Sequence, residues 1–481
     1  MEIFRSMVYF VDMLEKGEKM DSRIRVLFTN PPWWGSQISG DRDSKIPLIK
    51  RHYKSWERGV RSGSRWPHTY VGKSSPGNAV FGDYLPFPFF LAYAASYAEK
   101  ELGNSASVVL RDSIARAESY EDYYEYFASE NFTHVVIESA SPSWEHDQKI
   151  INRLAQINPN VRIAVAGPIS TLGREIIDSL PVTSVLKGEF EKNSVKFLSG
   201  KQGVLEHDLL TVEEMNSSPF PMFDDEVMTL YYDSNPRGQI FPHFQLWTSR
   251  GCPFKCIFCV WPATMTGNDP DGLSKRTVRY YSPEYVEQLI SYAVKKFGFK
   301  SIYFDDDTFN LGTSHVRKMC DVMTRINLPW SAMCRADTIK LEIWQEMKDS
   351  GCFGVKLGFE SGDQNVVDKI VNKHLDLEYA ASVVRHLKKI GMTVHGTFTY
   401  GLPGESLSNM QKTKQYINSL PFDSVQESGT AEIEGTPLAK LRNVGSLEVY
   451  PEANLPTVTP VYLDGRKRAL EVISELRDSQ K

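Results

Sequence analysis

No apolar run in this 481-residue chain approaches the ~20 residues that a membrane-spanning helix needs. Charge of one sign is lacking as well. With 55 basic against 60 acidic residues and a formal charge of −5, the chain has no basic excess of the kind a dedicated nucleic-acid binder carries. Cysteine is scarce: there are six, and none precedes Cys252. So few thiols in so long a chain do not suggest a disulfide framework, and the pattern points to a reducing cytoplasm. Internal repeats and low-complexity tracts are absent. The opening stretch, MEIFRSMVYFVDMLEKGEKM, has an apolar piece with acidic flanks and no small-residue cleavage site. Residues 1–23 therefore read as an extension before the first strand, with Met20 as an alternative start. What is present is 41% hydrophobic and 24% charged residues, enough for the two or three cores that this length suggests.

The first half alternates strand and helix patterns. Strands are predicted at Arg23–Phe28, Ala106–Leu110, His134–Ile137, Val161–Ala166 and Val182–Leu186. Helical patterns lie at Phe89–Leu102, Ser119–Ser129 and Asp147–Ile157. Apolar strands separated by amphipathic helices predict an α/β, doubly wound (Rossmann-like) domain over residues 24–205. Such a sheet takes its ligand at the carboxyl ends of its strands. Those ends carry Asn30-Pro31-Pro32-Trp33-Trp34, Glu138-Ser139-Ala140-Ser141 and Gly167-Pro168-Ile169-Ser170. Residues 33–88 form a long insertion without periodicity, and loops of that length in compact domains are usually functional. Within it Lys45, Lys50, Arg51, His52, Lys54, Arg58, Arg61 and Arg65 interleave with Trp56 and Trp66. That patch suits a phosphate, nucleotide or carboxylate; the alternative is a solvated basic loop.

Pro219, Pro221 and Pro236 mark residues 206–242 as a linker. Beyond it, Ser282-Pro283-Glu284 starts a helix with an N-cap and a first-turn proline, and Val286, Leu289, Ile290, Ala293, Val294 and Phe297 share one face. Strands are predicted at His243–Trp247, Ser301–Phe304, Trp330–Met333, Gly354–Phe359, Met392–Thr397 and Ser424–Ser428. Six such units predict a partial, open (β/α)6 TIM-type barrel over 243–436, followed by a short segment 437–481.

The segment Thr248-Ser249-Arg250-Gly251-Cys252-Pro-Phe-Lys-Cys256-Ile-Phe-Cys259 stands at the carboxyl end of the first of these strands, where barrels place their chemistry. Grouped thiolates select zinc or an iron–sulfur centre. Zinc usually takes a fourth protein ligand, and none is in sequence reach. Three cysteines would leave one iron of a 4Fe–4S cluster open to a ligand. The CxxxCxxC spacing, with Phe258 before the last cysteine, resembles the signature of the radical S-adenosylmethionine (SAM) superfamily. That resemblance implies a cluster on Cys252, Cys256 and Cys259, chelation of its open iron by SAM, and an external electron donor of flavodoxin or ferredoxin type.

Other segments match the superfamily in order. Asp306, Asp307 and Phe309 fit its Asp-Asp-x-Phe element near the SAM amino group; the alternative is an N-cap cluster for the following helix. Gly358-Phe359-Glu360-Ser361 resembles its Gly-x-Glu-Ser element, which implies Glu360 at the SAM ribose, with Ser361 beside it. Arg335 resembles an arginine near the SAM carboxylate, against the alternative of a surface arginine. Gly401-Leu402-Pro403-Gly404-Glu405 fits the turn after the fifth strand.

Placed before such a barrel, residues 24–200 resemble the cobalamin-binding domain of class B radical SAM methyltransferases. The resemblance puts Gly167 near the nucleotide tail, Ser139 and Ser141 near the lower base, and Glu189 in a Gly-Glu-x-Glu element. The Asp-x-His-x-x-Gly motif of other cobalamin proteins is missing, which implies binding without a protein histidine, and His146 starts a helix. The alternative is a sheet that only scaffolds the barrel. The implied activity is C-methylation of a small-molecule or biosynthetic-intermediate substrate at an unactivated carbon, through methylcobalamin and a 5′-deoxyadenosyl radical. A non-methylating rearrangement or cyclisation is the first alternative, and a non-catalytic cobalamin or iron–sulfur sensor the second. A methylthiotransferase would add an N-terminal three-cysteine set and a terminal RNA-binding domain. No cysteine precedes Cys252, and the tail is short for such a domain.

Overall fold

The structure, a computed structural model, describes residues 24–32, 84–266 except 117, 142 and 234, then 278–430 and 433–439. The N-terminal extension, Trp33, Trp34, the basic insertion 45–65, Trp66 and the chain after 439 lie outside the described residues, as does the side chain of Tyr84.

Period-two alternation builds the first sheet. In β1 (Ile24–Asn30), Val26 and Phe28 enter one hydrophobic cluster and Leu27 the other, as a strand between two helix layers must do. β1 pairs in parallel with β3 (Ala106–Asp112) on one side and β4 (His134–Glu138) on the other. β5 (Arg162–Ala166), β6 (Ser184–Leu186) and β7 (Gly203–Leu205) extend the order to β3-β1-β4-β5-β6-β7. The chain therefore reverses direction across the sheet between β1 and β4, and the crevice of a doubly wound sheet opens there, at Asn30 and Glu138. The sequence pattern does not announce β7, because three residues are too few to show alternation.

Helices α1 (Phe89–Leu102), α2 (Tyr120–Ser129), α3 (Trp144–Ile157), α4 (Arg174–Ser179) and α5 (Glu191–Leu198) alternate with these strands. α2 starts at a capping box in which Ser119 accepts from Asp122 N and Asp122 reaches back. The second sheet is parallel and sequential: β9 (His243–Leu246), β12 (Ser301–Phe304), β13 (Trp330–Cys334), β14 (Cys352–Glu360), β15 (Thr393–Tyr400) and β16 (Ser424–Gly429), with β9 and β16 at its edges. That is the strand order expected of the six βα units. Its helices are α8 (Pro283–Phe297), α9 (Thr313–Ile326), α10 (Leu341–Asp349), α11 (Leu377–Lys389) and α12 (Leu407–Asn418). α8 shows why the pattern was readable. Ser282 Oγ caps Tyr285 N at 3.2 Å, Pro283 fills the first turn, Gly298 ends the helix at φ 71°, and Val286, Leu289, Ile290 and Ala293 are buried.

One hydrophobic cluster runs from Val26, Phe28 and Val136 of the first sheet to Phe244, Leu246 and Ile302 of the second. α1 joins them: Phe89 stacks on Trp247 at 4.2 Å, and Phe90 packs edge-on to Trp247 at 4.7 Å. Rings of that size, buried at both ends, contribute ~1.5–3 kcal/mol each. The segment expected as a linker is packed rather than loose. It contains α6 (Val212–Ser217), and its β8 (Tyr232–Asp233) pairs with β2 (Tyr84–Leu85). Phe223 touches Phe87, Phe244 and Phe297, while Arg116 grips Asp224 at 2.6 Å. Prolines signalled irregular backbone there, not freedom. Among the described residues no helix is long and apolar enough to cross a membrane.

Candidate functional site

The cysteine loop leaves the carboxyl end of β9. β10 (Ser249–Arg250) pairs antiparallel with β11 (Arg279–Tyr280), Gly251 turns the chain at φ 95°, and α7 (Val260–Thr264) begins directly after Cys259. Cys252 and Cys256 are buried and Cys259 half-buried, and none of the three is in a disulfide. The loop rests on an apolar bed of Val366, Ile370, Val371 and Leu402, against which Phe258 also packs. Backbone bonds fix it there: Ile257 N donates to Val371 O at 3.1 Å, and Leu438 N to Ile257 O at 2.9 Å. Burial, reinforced by Asp307, pushes the Cys252 thiol up to about 11. A metal centre bound here would displace that proton. Among the described residues no three His, Cys, Asp or Glu side chains converge on a single ion. Ligands of a multi-iron cluster each bond a different iron and need no such convergence.

The carboxylates after β12 hold the loop's entry. Asp306, fully buried, accepts from Thr248 N at 3.0 Å, Thr248 Oγ1 at 2.9 Å and Ser249 Oγ at 2.5 Å. Burial raises its carboxyl to about 7 against those bonds. Asp307 is half-buried and accepts from Gly251 N at 3.2 Å. Both carboxylates thus hold backbone at the loop's entry, and Asp307 also lines the cleft.

At the far side of the loop, Glu360 adopts φ 70° at a register shift between β14 and β15, a backbone region disfavoured for a side chain with a Cβ. Its carboxylate accepts from Lys373 Nζ at 2.9 Å and Thr399 Oγ1 at 3.2 Å. Lys373 also feels the charge of Cys256. No sequence motif pointed to this lysine; it enters through a contact of long range. Ser361 is buried against Thr413 Oγ1 at 2.9 Å. Arg335 is neither exposed nor uncommitted. Its guanidinium bonds Asp337 at 2.5 Å and the carbonyls of Lys373 at 2.7 Å and His374 at 3.1 Å, and lies 3.7 Å over the Phe254 ring. The surface-arginine alternative is thereby removed.

In the first sheet, Ser139 Oγ donates to the buried Asp147 at 2.5 Å, and Ser141 Oγ accepts from Glu434 N at 2.7 Å. Gly167 sits at φ 83°, and a Cβ there would lie 2.6 Å from Ser139 O, so only glycine lets these two loops approach. His146 is bonded to Tyr120 Oη at 2.9 Å. Glu189, fully buried, pairs with Arg250 at 3.1 Å and with Arg279. Arg250 belongs to the cysteine-loop segment, but its partners, Glu189 and Glu191, lie about sixty positions earlier, where no local signal marks them.

Two clefts adjoin between the sheets. One is lined by Asn30, Asp112 and Glu138 at the carboxyl edge of the first sheet. The other is lined by Arg250, Gly251 and Asp307 at the cysteine loop. Phe90, Trp247 and Trp261 line both.

A family profile described as the radical SAM superfamily matches residues 248–417. An uncharacterized methyltransferase of Pyrococcus horikoshii is 28% identical over 73% of this chain and 77% of its own length. Cytidylyl-2-hydroxyethylphosphonate methyltransferase of Streptomyces wedmorensis is 28% identical over 47% of this chain and 43% of its own. Among solved structures, the radical SAM methyltransferase TsrM from Kitasatospora setae, with cobalamin and a 4Fe–4S cluster bound, superposes with a TM-score of 0.56 at 16% identity, covering 72% of this chain and 73% of that one. That likeness establishes the shared α/β fold. The cysteine loop lies inside the span that matches the radical SAM superfamily profile, and the chain is an enzyme.

Proposed function

We propose that the chain is a cobalamin-dependent radical SAM methyltransferase that acts on an unactivated carbon of a small-molecule substrate. The observation that carries this reading is the common aromatic wall of Phe90, Trp247 and Trp261, which lines both the carboxyl edge of the first sheet and the cleft at the cysteine loop. Methyl carrier and radical source must reach one substrate, so their sites must adjoin.

The residues fit both groups. Cys252, Cys256 and Cys259 would hold a 4Fe–4S cluster, with Asp307 and Glu360 disposed toward SAM. Asn30, at the sheet's switch point, is buried, and its Oδ1 has no hydrogen-bond partner among the described residues; cobalamin would supply one. Gly167 keeps the neighbouring turn clear of side chain. When bound, the cluster supplies the electron that cleaves SAM, and cobalamin supplies a carrier for a methyl group that an sp³ carbon, having no lone pair, could not take from SAM directly. The protein's part is orientation and exclusion of water. Phe90, Trp247 and Trp261 present apolar faces there, and Asp307 an acceptor. Among the described residues no histidine lines either cleft.

Anaerobic reconstitution with counts of iron, sulfide and cobalamin tests both sites together. SAM carrying a deuterated methyl is then supplied with the small-molecule fraction of a cell extract. Deuterium in a product, with deoxyadenosine released, is the expected result. Continued deoxyadenosine release with no deuterium in any product would exclude methyl transfer in favour of a rearrangement or cyclisation.

A further inference from the structure

Both ends of the cysteine loop dock on a single segment of the first sheet, residues 187–191. Before the loop, Arg250 is buried with Nη1 3.1 Å from Glu189 Oε2 and 2.5 Å from Glu191 Oε1. Its Nε donates to Tyr281 Oη at 3.0 Å, and its guanidinium lies 4.7 Å over Tyr93. Arg279, from the strand paired with Arg250, supplies a second cation to Glu189. After the loop, the residue that ends α7 returns to the same place, with Glu189 N donating to Met265 O at 2.7 Å. Gly188, at φ 75°, passes so near that a Cβ would sit 3.1 Å from Met265 O. Two carboxylates and two guanidiniums balance in charge, and the burial of Glu189, Glu191 and Arg250 makes the set intolerant of losing one member.

We propose that Glu189 and Glu191 are positioning residues, which clamp the strand before Cys252 and the helix after Cys259, so that the first sheet sets the geometry of the cysteine loop. The Gly188-Glu189-Phe190-Glu191 element then acts on the loop through Arg250 and Met265. This holds whether the enzyme methylates or performs another radical reaction.

The test uses the full-length chain. In the apo form, alkylation of each cysteine by iodoacetamide is timed by peptide mass spectrometry for wild type, for Glu189→Gln with Glu191→Gln, and for Arg250→Lys, which keeps the charge but loses the fork. Release of the clamp is expected to speed alkylation of Cys252 and Cys256 at least about tenfold, because a broken buried pair opens locally before it unfolds the fold. Cys334 and Cys352, buried in the second sheet, are the internal control and are expected to keep their rates. In the reconstituted enzyme the same variants are expected to shift the cluster's electron paramagnetic resonance lines. Should the double variant not fold, Glu191→Gln alone, which spares the pairs made by Glu189, decides with Arg250→Lys. Unchanged rates at Cys252 and Cys256 would overturn the proposal. So would equal acceleration at Cys334 and Cys352, since that signals general destabilisation.

Discussion

Lys373 Nζ lies 2.9 Å from Glu360 Oε1, and Gly358 is what makes room for the pair. A Cβ at Gly358 would fall 2.7 Å from that oxygen and 2.8 Å from that nitrogen. The motif glycine is thus explained by the ion pair it accommodates. Both side chains are about one-tenth exposed, so removing one partner strands a nearly dry charge.

Lys373→Met is accordingly expected to destabilise the fold by ~3–5 kcal/mol, and Glu360→Gln in addition to recover part of that loss. Denaturant titration of the four chains of the cycle checks it. Additive losses would show that the two charges do not depend on each other.

Asp306→Asn tests a different support. The amide keeps one acceptor oxygen for a site that three donors from Thr248 and Ser249 now share. The expected loss is ~1.5–3 kcal/mol, the range for hydrogen bonds to a charged group. Iron incorporation should fall as well, because the residues released lead directly into the cysteine loop. Full iron content beside lowered stability would show that the loop forms without this anchor.

How much of this was legible in sequence follows from the distance over which each interaction acts. Ser282-Pro283 and Gly298 mark the ends of α8 through bonds made within a turn, so the helix could be read. The cysteine spacing was legible because its ligands share one loop. Glu189 was readable only as part of a resemblance. Nothing near it in the chain shows that Arg250 and Arg279 would close on it across the sheets. Lys373 and Arg335 were hidden or underread for the same reason: Glu360 lies 13 positions from Lys373, and the carbonyls of 373 and 374 lie 38 and 39 positions from Arg335, beyond the reach of any local pattern. The prolines of 206–242 reported local backbone, while the packing of Phe223 was decided by four rings from three other segments.

Gly167→Ala separates a cofactor cradle from a structural close approach. The new methyl would meet backbone, Ser139 O at 2.6 Å and Ser139 N at 3.0 Å, at a φ of 83° that alanine disfavours. Melting of the apo chain is expected to drop by an amount matching ~2 kcal/mol or more. An unchanged apo melting temperature combined with weaker cobalamin binding would instead make Gly167 a cofactor residue alone.

Glu405 sets a pH dependence. Its carboxyl is buried in the turn after β15, where Oε2 accepts from Gly401 N at 2.8 Å and Leu402 N at 3.1 Å, while Oε1 has no partner among the described residues. Burial raises it from 4.5 to about 8, against the pull of those two bonds. In the unfolded chain the carboxyl ionises near its ordinary value, so between the two values the folded state binds more protons. The sign follows: this group's contribution is complete below about 4.5, declines as pH rises, and is gone above about 8. Stability should therefore fall across that window by on the order of a few kcal/mol. Glu405→Gln keeps an oxygen for the two amides and cannot ionise. Chemical unfolding at several pH values is expected to show the slope in the wild type and its loss in the variant. An identical slope in both would assign the dependence to another buried acid, of which Asp306 is the first to examine.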